Sequence, residues 1–496
     1  MPRSLSKSKI IAFRQCPKRL WLEVHSPELR DDSRSEVVFA IGNQVGEVAQ
    51  ALYATQGESE IIDFQQEGFA NAINRSRHLL QSGSKILFEA GVQSAGGHAF
   101  ADVMIPVRNG NGTAWRMIEV KSSTKLKDYY RDDVAVQTYI ATQAGVTIDS
   151  AALAHINNQF VYQGNGNYHG LFTENDLTAE AMGRHDEVAG WIRQAHDVAA
   201  CTSEPNIQPG SQCSDPFECP FIDHCHAHLP KATHPVTHLP RIQRTKVERL
   251  ESMGIREMAD VPDHELNRTQ QRVKEHTLAG TCYFDRERAA AALEGLGYPA
   301  YFLDFETANL AVPVWKGTRP FQQIPFQFSL HQLNQSSTLT HTGFLNLSGN
   351  DPRIGFAEAL IAHCGTTGPV YVYNAAFERR IINECAAAIP SLAPPLHAIA
   401  NRLVDLLPIA REHFYHPDQC GSWSIKAVLP ALCPDLNYND LDGVKDGGMA
   451  VEAFSEAIAA TTSAQRKDQL REQLEEYCKL DTLAMVRMWQ EFGGDR

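Results

Sequence analysis

Hydrophobic and polar positions divide the 496-residue chain into three regions. In the first, residues 1–228, three apolar stretches rich in strand-forming residues are separated by turns such as RNGNGT. These stretches are KILFEAGV, HAFADVMIPV and WRMIEVKSS. A helix is predicted after the third strand, over KDYYRDDVAVQTYIATQAG, with Gly145 at its end. This order of elements predicts a mixed α/β domain.

The pattern changes twice further along the chain. Residues 229–297 are polar with a helical pattern, and they follow a segment rich in proline and histidine, HLPKATHPVTHLP. Within them, LPRIQRTKVERLESMGIREMADVP predicts two helices joined at Gly254, either a phosphate-binding helix-hairpin-helix or a structural linker. From residue 298, the strand YPAYFLDFETANL begins an alternating strand–helix pattern that continues to residue 496. This pattern predicts a second α/β domain.

Composition narrows the class of protein. The chain is 43% hydrophobic and 21% charged, as is typical of globular proteins, and lacks the apolar core of a signal peptide. No stretch approaches the roughly 18 apolar residues of a membrane span, so we expect a cytoplasmic protein without a membrane partner. Its eleven cysteines are then expected to be metal ligands or core residues. The net charge of −14 argues against a wholly basic surface, but it permits a locally basic groove or an acidic metal site.

A first group of candidate catalytic residues lies on the three predicted strands. Glu119 and Lys121 are two positions apart, so both side chains lie on one face of a strand. Asp102 and Glu89 lie on the two preceding strands. Carboxylates beside a lysine suit metal-assisted phosphodiester cleavage, because they hold Mg²⁺ and the metal lowers the pKa of a bound water. The alternative is a solvated ion pair across the strands.

A second acidic group lies in the last region. Asp304 and Glu306 share one face of an apolar strand, where adjacent acids are costly unless a cation neutralises them. Glu378 begins a helix after the strand in VYVYNAAFERR, and Tyr477 and Asp481 share one face of the last helix. Each motif alone is common. The three in this order are much more specific for a catalytic site.

Three cysteines at six-residue intervals suggest a metal. They are Cys213, Cys219 and Cys225 in QCSDPFECPFIDHC. A closed tetrahedral site or an iron–sulfur cluster has four ligands, so one is missing from this segment. Zinc and three unlinked cysteines are the alternatives, although the short CxxC spacing of zinc ribbons does not occur.

The first region resembles the PD-(D/E)XK nucleases in their RecB-like branch. The resemblance rests on the order of Glu89, Asp102, Glu119-x-Lys121 and a following helix that carries Gln137 and Tyr139. It implies that Gln137 and Tyr139 pack over the site, although they are closer in sequence than is usual. The metal-binding histidine of that branch is replaced by Gly46, which leaves Glu47 as a substitute ligand or the site without one.

The same resemblance supplies a fourth cysteine. CRISPR-associated RecB-like exonucleases and related helicase–nucleases carry one cysteine ahead of the nuclease core and three behind it. Cys16, in FRQCPKRLWLE, matches the early position, and the late trio is matched by Cys213, Cys219 and Cys225. The resemblance therefore implies a 4Fe–4S cluster with a mainly structural role.

The last region resembles the DEDD exonucleases of the RNase H-like superfamily, in their tyrosine-bearing subgroup. Asp304 and Glu306 match the first motif, NAAFE the second with Glu378 in place of aspartate, and YCKLD the third. The resemblance implies two Mg²⁺ or Mn²⁺ ions about 4 Å apart. Asp304 would bridge both ions, Glu306 and Asp481 would hold the first, and Glu378 would lie near the second. Tyr477 would orient the attacking water.

A nucleic-acid partner is expected from these resemblances and from one basic segment. This segment is KSSTKLKDYYR, in which Lys125, Lys127 and Arg131 are candidates for holding phosphates. Tyr129 or Tyr130 is a candidate for stacking on a base. The alternative is an ordinary solvated loop.

The whole chain resembles a bacterial fusion of a RecB-like nuclease with its cluster (1–228), a helical linker (229–297) and a DEDD-type domain (298–496). We expect a metal-dependent nuclease with two hydrolytic centres that acts on single-stranded ends, DNA rather than RNA, in repair or in defence against foreign DNA. The alternatives are an RNA exonuclease, or a nucleic-acid-binding or scaffold protein with one or both centres inactive.

Overall fold

The protein is described by a computed structural model that covers residues 4–31, 36–109, 112–227 and 229–494. It is mixed α/β, with 49% helix, 18% strand and several sheets. The chain forms two compact units: Met1–Pro230 with Leu310–Phe321, and Lys231–Asn309 with Gln322–Arg496. From residue 231 onward, the segment predicted as a linker thus belongs to the second unit. Residues 310–321, expected in the C-terminal domain, belong to the first.

The first unit is built on a mixed sheet. Its strands are β1 (Leu5–Ser6), β2 (Ser59–Ile61), β3 (Ile86–Ser94), β4 (Gly97–Asn109), β5 (Gly112–Lys121), β6 (Ile148–Ile156) and β7 (Phe172–Asp176). The order is β2-β3-β4-β5-β6-β7, with β1 beside β4. Strands β3, β4 and β5 are antiparallel neighbours, whereas β5 and β6 are parallel. The three strands predicted from sequence are β3, β4 and β5, so that prediction is confirmed.

Helices cover this sheet. They are α1 (Lys7–Gln15), α2 (Pro17–His25), α3 (Glu36–Ala54), α4 (Phe64–Glu67), α5 (Phe69–Ser82), α6 (Asp128–Gln143), α7 (Thr178–Gly183), α8 (His185–Ala200) and α9 (Ile222–Ala227). A parallel neighbour strand needs a crossover connection, and α6 supplies it between β5 and β6. Gly145 follows α6 with a φ of 84°, so the predicted helix and its end are confirmed.

The second unit contains a five-stranded sheet and a separate sheet of two short antiparallel strands. Its strands are β8 (Tyr283–Phe284), β9 (Ala300–Ala308), β10 (Ile324–Leu333), β11 (Leu339–Leu345), β12 (Val370–Val372), β13 (Leu403–Asp405) and β14 (Phe414–Tyr415). The sheet order is β11-β10-β9-β12-β13, and β14 pairs with β8. Strand β10 is antiparallel to β9, and β12 is parallel to it. Strand β9 is central and almost wholly buried, which explains its continuous apolar sequence.

The helices of the second unit are α10 (Arg244–Ser252), α11 (Arg268–Ala279), α12 (Arg286–Ala291), α13 (Arg353–His363), α14 (Ala375–Ala388), α15 (Ala393–Ala400), α16 (Leu406–His413), α17 (Ile425–Leu432), α18 (Gly447–Ile458) and α19 (Ala464–Glu491). Alternate residues of β9 enter two different cores. Tyr301, Leu303 and Phe305 pack in one core, and Phe302 packs in the other with Trp489 of α19. Asp304 and Glu306 follow Phe302 at two-residue intervals, so all three lie on the same face of β9.

The predicted pair of helices around Gly254 forms only in part. Helix α10 ends before Gly254, which has a φ of 80°, but the next helical residues are a single 3-10 turn, Met258–Asp260. The reason is that Glu257 forms a β-bridge with Pro235, and its carboxylate accepts the backbone N–H groups of Thr233 and His234. These contacts hold the backbone extended where the second helix was expected. No helix in the described part of the chain is long and apolar enough to cross a membrane.

Candidate metal centres

The second acidic centre, defined as Asp304, Glu306, Glu378 and Asp481, lies where β9 meets helices α14 and α19. Strand β9 carries Asp304 and Glu306, α14 carries Glu378 in its first turn, and α19 carries Asp481. Glu306, Glu378 and Asp481 are buried. The charges of Asp481, Glu306 and Glu378 all raise the pKa of Asp304, so the three sequence motifs lie within electrostatic reach of one another.

Short distances join Asp304 to Glu306, and Asp481 to Tyr438. A carboxylate oxygen of Asp304, one of Glu306 and the Sγ atom of Cys478 all lie within 4.8 Å of one another. The Tyr438 hydroxyl donates to Asp481 Oδ1 at 2.5 Å. Cys478 was not singled out from the sequence, although it lies inside the YCKLD motif directly after Tyr477.

Burial and mutual repulsion change the protonation of these acids. Burial raises the pKa of Asp304 well above its usual range, and the charges of Asp481 and Glu306 raise it further. Burial likewise raises the pKa of Glu306 to about 8, that of Glu378 to about 8 and that of Asp481 to about 6. Glu378 Oε2 is buried and makes no hydrogen bond within the described residues. Acids in such surroundings must hold protons or bind a cation.

Positive charge near this centre comes from Lys426, a residue that the sequence analysis did not single out. Its Nζ atom lies 5.0 Å from the centre of the Tyr477 ring and 5.3 Å from that of Tyr438. Its charge lowers the pKa of Asp481 and Glu306, but burial outweighs this effect in both groups. Burial also raises the pKa of the Tyr477 hydroxyl, so it remains a neutral hydrogen-bond donor.

Asp405 holds the helix that carries Glu378. Its two carboxylate oxygens accept the backbone N–H groups of Asn374 and Ala375 at 3.0 Å, and it also caps α16 through the N–H of Leu407. Asn374 has a φ of 88°, which turns the chain sharply from β12 into α14. Asp405 is thus a positioning residue for the start of α14.

The first acidic centre, defined as Glu89, Asp102 and Glu119, lies on three neighbouring strands. The pairing of Val103 with Ile118 brings Asp102 beside Glu119 at the end of the β4–β5 ladder. On the other side of β4, Glu89 lies between the pairs Phe88–Val103 and Ala90–Ala101, and its backbone has a φ of 55°. Left-handed backbone at a glutamate is strained, and such strain is typical of functional sites.

Glu119 is the most heavily bonded member of this centre. Its Oε1 atom accepts from Lys121 Nζ at 2.6 Å and from Lys7 Nζ at 2.7 Å, and its Oε2 atom accepts from the Gln137 amide. Lys121 also pairs with Asp133 at 2.8 Å. Lys7 and Asp133 were not identified from the sequence. Lys7 lies far from the strands in sequence, and nothing in its local pattern indicates a site.

The pKa values of Glu119 and Asp102 are shifted in opposite directions. Burial alone would raise the pKa of Glu119, but the ammonium groups of Lys121 and Lys7 lower it to about 2. Burial and the charge of Glu119 raise the pKa of Asp102 to about 8. Asp102 Oδ2 accepts the N–H of Val120 at 2.6 Å. In this centre two ammonium groups are paired directly with a carboxylate.

Other predicted site residues have different surroundings. Tyr139 does not face the first centre, because it packs edge-on against His185 at 5.5 Å. A side chain on Gly46 would meet no atom within 4 Å, and Glu47 is exposed. Arg131 is paired with Glu180, whereas Lys125 and Lys127 are exposed. Lys127 lies 5.7 Å from the ring centres of the two tyrosines, Tyr129 and Tyr130.

The predicted cluster cysteines lie in one neighbourhood of the first unit. Cys16 joins α1 to α2, and the adjacent Gln15 donates to the backbone oxygens of Gln212 and Phe217 at 2.8 and 2.6 Å. The N–H of Cys219 donates to the oxygen of Cys213 at 2.7 Å. Burial raises the pKa of the Cys225 thiol to about 11, and the charges of the other three cysteines add to the rise.

The thiols of these four cysteines are less closely grouped than the ligand atoms of the second acidic centre. A single zinc ion with Zn–S bonds of ~2.3 Å places its sulfurs ~3.8 Å apart. Among the described residues, the group of three metal-ligand atoms within 4.8 Å is that of Asp304, Glu306 and Cys478. Among the described residues, no three of the four thiols lie within this distance of one another.

One comparison with known proteins bears on the second centre. Residues 301–424 match the family model of a domain of unknown function, DUF2779. The match contains Asp304, Glu306 and Glu378, and it ends before Tyr477 and Asp481. A comparison with curated proteins gave no match.

Proposed function

We propose that the protein is a metal-dependent nuclease that hydrolyses phosphodiester bonds at the ends of single-stranded nucleic acid, DNA rather than RNA. The observation that carries this proposal is the second acidic centre. Four acids with raised pKa values meet there, and the nearby Lys426 offsets only part of their charge. Such a site fits divalent cations better than it fits a purely structural role.

The residues present fit Mg²⁺ or Mn²⁺. Hard oxygen ligands come from Asp304, Glu306 and Asp481, and the unpartnered Oε2 atom of Glu378 is a further ligand. Bound ions there would supply the charge that activates a water and stabilises the leaving oxygen. The chain itself would orient the attacking water through the neutral Tyr477 hydroxyl. By resemblance, this centre would work in the 3′ to 5′ direction.

Topology supports the fold part of the proposal. An RNase H-like arrangement of residues 298–496 is supported by the order β11-β10-β9-β12-β13, in which β10 is antiparallel and β12 parallel to β9. A PD-(D/E)XK arrangement of residues 1–228 is supported by the antiparallel β3, β4 and β5, followed by α6 and the parallel β6.

The first acidic centre is proposed as a second hydrolytic site. Asp102, Glu119 and Glu89 would hold the metal, and Lys121 would position the attacking oxygen. One observation favours the alternative of an inactive centre that only binds nucleic acid: Lys7 Nζ, at 2.7 Å from Glu119 Oε1, takes a position where a metal would compete for that oxygen.

A 4Fe–4S cluster held by the four cysteines is also part of the proposal. The Gln15 contacts bring Cys16 to the loop of the late trio, and the thiols are more widely spaced than one ion requires. All eleven cysteines are free thiols, which supports a reducing, cytoplasmic location.

The test separates the two centres. Asp304→Ala should lower hydrolysis of end-labelled single strands at the second centre by at least ~100-fold, because a metal-binding carboxylate is lost. Lys121→Ala should abolish the activity of the first centre only. The substrates are DNA and RNA strands that are blocked at the 3′ or the 5′ terminus, and each is assayed with Mg²⁺ or Mn²⁺. The end that each variant still cleaves assigns its residual activity to a centre.

The matched control is Asp435→Ala, which removes an aspartate that is 59% exposed and paired with Arg487 in the same unit. It should leave hydrolysis unchanged. If Asp304→Ala retains every activity of the unmodified protein, the second centre is not hydrolytic and the proposed function is wrong for that unit.

A further inference from the structure

The second unit contains a cavity of about 870 Å³ outside the acidic centre. Its size falls in the range of pockets that hold small ligands or parts of larger ones. One wall comes from residues 237–241 and 267–269, in the segment predicted as a linker. The other comes from residues 373–374, 407, 411 and 420–425. We call it the basic cavity, after its three arginines: Arg241, Arg268 and Arg411.

The two walls are joined closely. A side chain on Gly421 would lie 1.8 Å from the backbone oxygen of His238, so only glycine allows this approach, and its φ is 76°. On the side of the first wall, the Gln270 amide donates to the oxygen of Pro240 at 3.0 Å, and within the second wall the Tyr373 hydroxyl donates to the oxygen of Trp423 at 2.7 Å. The cavity is therefore a built feature of the unit.

The charge of the cavity is opposite to that of the chain. None of its three arginines has an ion-pair partner among the described residues, and no acidic side chain lines the cavity. Two acids lie close to the wall in sequence: Glu412, next to Arg411, is exposed and lies 4.0 Å from His413, and Asp405 has its oxygens engaged by three backbone N–H groups. In a protein with a net charge of −14, three unpaired guanidinium groups around one cavity indicate an anionic ligand.

Helix ends add to this charge. Asn267, Arg268 and Thr269 stand at the start of the twelve-residue helix α11, where a capping box between Asn267 and Gln270 already takes the N–H group of Gln270. Ser424 and Ile425 stand at the start of α17, which the Ser424 side chain does not cap. The first N–H groups of a helix and its dipole favour an anion. They reinforce the arginines and do not by themselves define the site.

Two short segments lead from the cavity to the second acidic centre. Tyr373 and Asn374 line the cavity, and Glu378 follows Asn374 by four residues on α14, about 6 Å along the helix. Ser424 and Ile425 also line it, and the next residue, Lys426, lies 5.0 Å from the Tyr477 ring centre. The cavity and the acidic centre are therefore joined by two short stretches of chain.

We propose that the basic cavity binds the phosphate backbone of single-stranded DNA whose end lies in the second acidic centre. This inference rests on the proposed function and adds where the DNA strand lies on the second unit. The three arginines hold successive phosphates, with the serine and threonine hydroxyls and the start of α17 as further donors. It also gives the segment 231–297 a role in binding substrate.

Binding is tested without hydrolysis, so that the result does not depend on the proposed activity. The full-length protein is titrated against fluorescent ten-nucleotide phosphorothioate strands, which resist cleavage, at several salt concentrations. Arg268→Gln and Arg411→Gln should each weaken binding ~3- to 10-fold. Each should also reduce the slope of log affinity against log salt by ~0.7, the value for one lost phosphate contact on a single strand.

The matched control is Arg288→Gln, which removes the same charge from a guanidinium that is 72% exposed on α12 of the same unit, outside the cavity. It should leave affinity and salt slope unchanged. Equal affinities for the cavity variants and the control would overturn the inference, whatever the activity of Asp304→Ala. Binding of inorganic phosphate or a nucleoside monophosphate alone, or of RNA but not DNA, would also overturn it.

Discussion

At the scale of single residues, the second acidic centre depends on carboxylates that water cannot solvate. Glu306 and Glu378 both have a pKa of about 8, far above the ~4.3 of a free glutamate. Near neutral pH the folded protein without metal therefore keeps protons on groups that ionise when the chain unfolds. A bound cation removes this conflict, because it stabilises the ionised form.

We predict that the thermal stability of the metal-free protein falls as pH rises from 5 to 8.5. Between the unfolded pKa near ~4 and the folded pKa near 8, the folded state binds more protons than the unfolded state, so the free energy of unfolding decreases with pH. Mg²⁺ should raise the Tm more at pH 8.5 than at pH 5, because it binds the ionised acids. Scanning calorimetry at both pH values measures this.

Glu306→Gln is the diagnostic variant, since it removes one titrating group at nearly constant size. It should flatten the pH dependence of the Tm and reduce the effect of Mg²⁺ at pH 8.5. The exposed control Asp435→Ala should preserve both. An effect of Mg²⁺ on Tm that is equal at the two pH values in the unmodified protein would contradict the metal assignment.

Spacing on a single element was enough to identify some residues and not others. The alternation along β9 predicted that Asp304 and Glu306 share a face, because a strand has a fixed period of two. Lys426 and Tyr438 were missed, because they reach the centre from loops and helices whose approach no local pattern specifies. Tyr139 was misassigned for a related reason: at two positions from Gln137 on a helix, it lies on another face.

At the scale of elements, α1 connects two features of the first unit. Its first residue, Lys7, donates to Glu119, and the residue after its end is Cys16. A nine-residue helix spans about 14 Å, so the carboxylates and the thiols are linked by one rigid element. The sequence predicted both sites but not this connection, because a lysine in a polar N-terminal segment gives no sign of a tertiary partner.

We predict that Lys7→Gln lowers the stability of the metal-free protein by about 2 kcal/mol. The reason is that the buried Glu119 then keeps a single ammonium partner, Lys121. Added Mg²⁺ should restore part of the loss, because the vacated position near Glu119 can be taken by the metal. The measurement is thermal unfolding with and without Mg²⁺.

Lys9→Gln on the same helix is the control, since the Lys9 side chain has no acidic partner among the described residues. It should change neither the stability nor the response to Mg²⁺. If the two variants behave alike, the Lys7–Glu119 contact does not stabilise the first centre.

At the scale of the whole molecule, each of the two units contains segments that are separated along the chain. Residues 310–321 interrupt the second unit and pack in the first, where Ala311 and Val312 join a core with Phe160 and Leu171. The sequence analysis assigned this segment to the C-terminal domain, because an apolar pair between two strands does not reveal which core it enters. The strand and helix patterns predicted elements of both units, but they did not predict that residues 310–321 pack in the first unit.

The long-range connection between Cys16 and the late cysteines leads to the last prediction. Anaerobically purified protein should contain about four irons per chain, as expected for a cluster held by four thiolates. Cys219→Ser should lose this iron and lower the unfolding temperature. A cluster held by these cysteines would join positions 197 residues apart (213 − 16) and so would remove on the order of 5 kcal/mol of chain entropy from the unfolded state. Cys201→Ser, at an exposed thiol of the same unit, should keep both the iron and the stability. One zinc per chain without iron would contradict the cluster, as would equal iron loss in the two variants.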